Sequence, residues 1–198
     1  MNFIEDLGVN GHLQIAKTYK DGTEEIIFDD HNIIVSGLGV GLVYLFGGLG
    51  STRITDFQID RVQLGVSGGT ILETSTTYQL SGALTGTEYG TDSDIFVVTS
   101  DQVINGAIQT SKIFLKIPFS KVTKINDNSV RYTIVIDEES CNNLTRSGSS
   151  VNLSEIGLFM KNPLGRATDA AILVAYRAFS NIRKTSDFGL IFRWTINF

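Results

Sequence analysis

The sequence predicts an all-β chain, an antiparallel β-sandwich of jelly-roll-like type, on three observations. Stretches of apolar–polar alternation recur along most of its 198 residues. Twenty glycines stand against two prolines, with many Thr, Ser and Asn, as a chain with numerous turns requires. Near residues 32–47 an apolar run without alternation reads as a short helical segment laid against a sheet. Roughly eight strands of this kind bury their apolar faces best as two packed sheets. With 42% hydrophobic and 19% charged residues the composition is that of a folded globular protein. No boundary or solenoid-length repeat divides the chain, so residues 1–198 are expected to form a single sandwich domain.

The first unit is a hairpin. Leu13, Ile15 and Ala16 lead into Tyr19-Lys20-Asp21-Gly22, and Asp-Gly between apolar strands is a strong hairpin signal. Ile26 to Phe28 return, and Asp29 to Asn32 are expected to stop the strand, with Asp30 or Asn32 capping the next segment. Asp29, Asp30 and His31 do not make a metal triad, because three consecutive residues on an extended chain cannot face one ion. From Ile33 to Phe46 the chain is almost wholly apolar, too short to span a bilayer and weakened as an isolated helix by Gly37, Gly39 and Gly41. Those glycines lack the Gly-Lys-Ser/Thr of a phosphate loop, and Leu42 stands where a dinucleotide motif needs its third glycine.

Val62, Leu64 and Val66 alternate in a short strand. The stretch at about 67–94 is dominated by Gly, Thr and Ser and reads as a long loop with Tyr78, Leu80 and Tyr89 as anchors. It carries no charged cluster, so contact with a partner is the expected use, with a sugar stacked on its aromatics as the alternative. Ile95 to Val98 follow. Ile113, Leu115, Ile117 and Phe119 alternate towards Pro118, and Val130, Tyr132, Ile134 and Ile136 are expected to return as the partner strand of a second hairpin, through Asn126 to Ser129. Asp137 to Glu139 read as a solvated strand end. Cys141 shows no neighbouring base and, being alone, no disulfide.

The most strongly patterned stretch is the last. Leu190, Phe192, Trp194, Ile196 and Phe198 share one face of a strand, Ala171 to Phe179 is apolar on both faces, and Ser154 to Met160 supplies a third strand.

Glu155-Ile156-Gly157-Leu158-Phe159, an Asn/Pro/Gly-rich turn, a strand into Phe179, then Ile182, Lys184, Thr185 and Phe192-Arg193-Trp194-Thr195-Ile196-Asn197-Phe198 carry a resemblance. Over residues 154–198 the chain resembles structural proteins of tailed-bacteriophage particles, of the tail, baseplate or fibre-attachment type. Weaker echoes lie at Asp30 to Gly50 and Val62 to Gly68. The resemblance implies a non-enzymatic virion subunit, with a capsid decoration protein as the close variant and a carbohydrate-binding host-recognition module as the alternative of another class. No catalytic residue travels with it.

Charge points the same way. A net charge of −5 disfavours a general nucleic-acid binder. Residues 1–100 hold 4 Lys/Arg against 13 Asp/Glu, whereas residues 101–198 hold 12 against 8. Either complementary surfaces meet in an oligomer, or the two halves interleave and their charges mix over one domain. On the first reading Arg131, Arg146 and Arg166 join Tyr78, Leu80 and Tyr89 as partner contacts. No cofactor or metal is expected. Nor is a membrane-spanning segment: an outer-membrane barrel fits poorly with Lys112 and Lys116 on a strand face, and the acidic start, Glu5 and Asp6, does not suit a secretory leader. The expected partners are other virion proteins and copies of the same chain, assembled in a host cytoplasm.

Overall fold

Asp21 and Gly22 set the first turn. The Asp21 carboxylate accepts from the Thr23 amide at 2.9 Å and its hydroxyl at 2.7 Å, while Gly22 takes the left-handed conformation that the corner demands (φ +84°). In the computed structural model, which describes residues 8–50, 53–90, 96–98, 102–104, 107–109, 113–164 and 171–198, this turn joins β1 (Asn10–Tyr19) to β2 (Glu24–Ile34). β2 does not stop at Asp29. Asp29 to Asn32 continue the ladder on a largely exposed strand, where polar side chains meet water at little cost, and the helix begins later, without a side-chain cap.

That helix, α1 (Ser36–Phe46), lies within the apolar run. Its glycines have a packing cause. A Cβ on Gly37 would collide with the Leu173 carbonyl oxygen, and one on Gly41 would come within 2.5 Å of the Met160 sulfur. Their absence lets the helix backbone lie directly on the sheet, which outweighs the helix propensity they give up.

The remaining strands are β3 (Ile59–Gly65), β4 (Phe96–Val98), β5 (Gln102–Ile104), β6 (Ala107–Gln109), β7 (Ile113–Lys116), β8 (Val122–Asn126), β9 (Ser129–Ile136), β10 (Thr145–Arg146), β11 (Ser149–Ser150), β12 (Leu153–Met160), β13 (Ile172–Ile182) and β14 (Phe188–Asn197). Eight of them join β1 and β2 in one ten-stranded antiparallel sheet in the order β4-β7-β3-β12-β13-β2-β1-β14-β9-β8. β5–β6 and β10–β11 are separate small ladders. The large sheet bends at β2, which pairs with β1 along most of its length but with β13 only through Ile33 and Ile34. It therefore acts as two half-sheets that share one apolar core, with Leu13, Ile15, Ile134, Phe192 and Trp194 on one side and Val62, Leu64, Ile156 and Leu158 on the other. The fold is all-β, and its sandwich-like packing comes from a single curled sheet.

A second hydrophobic cluster, of Val35, Leu80, Ala83, Phe114, Phe159, Leu173 and Tyr176, covers the opposite face of the second half-sheet. It explains why β12 is buried at every position. The cover is the Gly/Thr/Ser-rich segment, of which residues 67–90 are described. It is bonded to the sheet at Leu84 N–H to Leu64 O (2.8 Å), Leu173 N–H to Thr77 O (3.0 Å) and Leu80 N–H to the Gln63 side chain (2.9 Å). Its last turn, α2 (Gly86–Tyr89), starts with a capping box between Thr85 and Glu88.

The second expected hairpin is corrected. β7 pairs with β3 and β4, while β9 pairs with β14 and with β8, so the Asn126–Ser129 turn joins β8 to β9. Pro118 has no N–H to continue a ladder, and the chain makes a 3-10 turn at Phe119–Lys121 that carries it from one half-sheet to the other. The charge asymmetry is met inside the chain: Arg193 pairs with Glu24 (2.7 Å), Arg146 with Glu88 (2.6 Å), Lys161 with Asp56 (3.5 Å), and Arg177 with Asp30. Each pair joins the acidic half to the basic half. These pairs bring charges of the two halves together on one domain, as the interleaved reading expects.

Candidate subunit interface

The crossing from β7 to β8 creates a broad, largely apolar recess on the surface. Leu38 and Leu42 of α1, Phe57 and Ile59, Ile117 to Phe119, Val122, Tyr132 and Met160 line a groove of about 840 Å³, with Phe198 at its rim. Local sequence dictates each wall. Pro118 turns the chain out of β7, so Phe119 leaves the alternation and stands 87% exposed. The Ile117 amide is tied to Asp60 O at 2.7 Å, which anchors the chain two residues before Phe119, and the Phe198 amide is tied to Asn128 O at 2.8 Å. Phe198 was expected on the core face and is instead half exposed, one residue past the end of β14, where no opposing layer covers it.

The charged groups of the groove are few. Lys116 and Lys161 flank it, and Asp60 is engaged by Arg61 at 2.8 Å. Burial pushes the Tyr132 hydroxyl up to about 12, so it stays protonated at physiological pH. Such a surface binds by excluding water from aromatic and aliphatic groups and offers no nucleophile paired with a base. Among the described residues no group of three or more His, Cys, Asp or Glu is placed to hold a metal ion.

The contacts expected from sequence are dispersed. Leu80 and Tyr89 are fully buried and cannot meet a partner: Leu80 anchors the cover, and the Tyr89 oxygen accepts the Leu64 amide at 3.0 Å. Arg146 holds α2 in place, donating to both Glu88 oxygens and to Ala83 O at 2.8 Å. Arg131 is half-buried and donates to Thr195 on β14 at 3.2 Å. Tyr78 does reach the surface, in a pocket of about 570 Å³ lined by Thr70, Thr74, Ser75, Thr77, Gln79 and Ser81. Arg166 lies outside the described residues. Phe119 and Phe198 were missed as surface groups because period-two counting carried both into a core face; Pro118 was the signal that the count ends before Phe119. Cys141 is buried, and burial pushes its thiol up to about 12, which suits an inert side chain.

The Arg146–Glu88 pair yields a prediction. Burial opposes ionisation of Glu88, but hydrogen bonds from Arg146 and Thr85 outweigh it and hold the carboxyl below its ordinary range. The stabilisation is then complete above the unfolded value near ~4.3 and is lost as pH falls through the folded one. Glu88→Gln should cost about 1–2 kcal/mol at pH 7, after allowance for partial exposure. Urea unfolding of both proteins should show this gap closing as pH falls below about 4.

No family model, curated protein or solved structure matches this chain, so its function is argued from its own residues.

Proposed function

We propose that this protein is a non-enzymatic structural subunit of a tailed-bacteriophage particle, in the tail, baseplate or fibre-attachment region, and that the Phe119–Phe198 groove is where a neighbouring virion protein docks. The observation that carries the reading is that two exposed aromatic side chains, Phe119 and Phe198, border one broad apolar recess. Contiguous apolar surface of this kind marks interaction sites, and aromatic anchors in desolvated pockets dominate interface energies. The resemblance over residues 154–198 supplies the class of assembly, and a capsid decoration protein uses the same surface logic. No helix among the described residues is long and apolar enough to cross a membrane.

The test is incorporation. Phe119→Asp should leave the melting temperature nearly unchanged, because the side chain is exposed, yet weaken docking by about 2 kcal/mol or more, roughly 30-fold, if Phe119 is an interface anchor. Thermal melting of the isolated variant reads the first quantity, and particle reconstitution with labelled chains reads the second. Normal incorporation of Phe119→Asp and Phe198→Asp alike would remove the groove from the proposal.

One observation favours a second reading. The pocket beside Tyr78 combines five Ser and Thr hydroxyl groups, the Gln79 amide and the Tyr78 ring with the apolar Ile71 and Leu72, so it includes groups that can hydrogen-bond and stack a sugar. Glycan-array binding that Tyr78→Ala abolishes would support a host-recognition module; absence of any glycan signal leaves the structural role.

A further inference from the structure

Lys184 is a buried amine with unusual company. It follows β13 and is 2% exposed. Its Nζ meets Asn142 Oδ1 at 3.0 Å, Thr185 O at 2.9 Å and Glu138 O at 3.3 Å, with the Phe188 ring centred 5.4 Å away. Every one of these acceptors is neutral. Among the described residues no carboxylate lies within ion-pairing distance of Nζ, whereas buried ammonium groups ordinarily have such a partner. Desolvation lowers the Lys184 pKa, which raises the share of neutral, nucleophilic amine.

The facing amide is equally constrained. Asn142 donates from Nδ2 to Glu138 O at 2.6 Å, so its carboxamide is clamped between the loop that bears it and the lysine. Both neighbours in sequence, Cys141 (φ +60°) and Asn143 (φ +48°), adopt left-handed conformations that non-glycine residues seldom take. The Asn143 amide is tied to Lys184 O at 3.0 Å, and the Cys141 amide to Tyr89 O at 2.8 Å. Two strained residues thus hold one side chain against one amine, with little water access, which is the proximity that turns a slow amide exchange into an intramolecular reaction.

We propose that Lys184 and Asn142 become joined by an intramolecular isopeptide bond. The Nζ lone pair attacks Asn142 Cγ, the Cγ–Nδ2 bond breaks, and the proton shed by Nζ leaves with the departing nitrogen as ammonia. Atoms balance without an oxidant or a co-reactant. The product ties the loop after β9 to the connection between β13 and β14, closing a covalent ring of the chain that contains β10 to β13. This inference does not depend on the docking groove.

Intact-mass spectrometry of the full-length purified protein tests it. The expected mass is that of the sequence less one ammonia, with a branched peptide linking the Asn142 and Lys184 segments after digestion. Lys184→Arg and Asn142→Ala should each restore their full sequence masses. The measurement on the native chain stands even if a variant does not fold. A native chain with its full sequence mass overturns the bond. So does ammonia loss that maps to a cyclic imide at another asparagine, such as Asn10 before Gly11.

Discussion

A chain ending at Arg193 is expected not to fold. The deletion removes the second half of β14, which lies between β1 and β9, with Trp194 opposite Leu13 on one side and Tyr132 on the other. Trp194 and Ile196 are fully buried, each worth about 1.5–3 kcal/mol of burial. The loss goes further, because β1 and β9 are left with unpaired backbone facing each other across a gap. Set against a total stability of about 5–15 kcal/mol, the deficit is decisive. Circular dichroism and thermal melting of the truncated chain check it, and a soluble product with cooperative melting would defeat the reading. Phe198 supplies the internal contrast. Being half exposed at the groove, Phe198→Ser should melt within about 1 kcal/mol of the native chain and fail instead in docking.

The strands that were legible in the sequence are those whose partners impose a period of two. β14 packs one face on the core and leaves Ile191, Arg193, Thr195 and Asn197 half exposed on the other, so its alternation is undisturbed. The first hairpin was legible because its turn chemistry is local. What could not be read depends on distant chain. The cover over the second half-sheet is held by Leu80, Leu84 and Tyr89, spaced among hydroxyl residues without periodicity, and only the sheet beneath shows that they are anchors. For the same reason nothing in the sequence marks Glu155 as a core residue. It is buried, and its carboxylate accepts from the Ser67 hydroxyl at 2.9 Å and the Tyr176 hydroxyl at 3.0 Å, both supplied from elsewhere in the chain. β7 and β9 were matched as a hairpin because they are neighbouring alternating runs. Sequence proximity says little about pairing once a proline allows the chain to change sheets.

The glycines of α1 give the other large effect. In an isolated helix Gly37→Ala would be stabilising by about 0.5–1 kcal/mol, since alanine restricts the unfolded chain and favours the helix. Here the added methyl would run into the Leu173 carbonyl oxygen. That oxygen belongs to the backbone of β13, which is locked between β12 and β2 and cannot swing aside. The helix must move instead, and with it Leu38, whose side chain fills the shared core. Overpacking against backbone should reverse the sign and cost about 2–3 kcal/mol, a melting temperature lower by about 4–12 °C for a chain of this size. Gly41→Ala is the comparison. Its methyl meets the Met160 sulfur and methyl group, the far end of a flexible side chain that can take another rotamer, so its cost should be smaller. Melting both variants beside the native protein gives the ranking. If Gly37→Ala melts at or above the native temperature, α1 is not seated on β13 by close backbone contact. The inner wall of the groove, Leu38 and Leu42, would then need another origin.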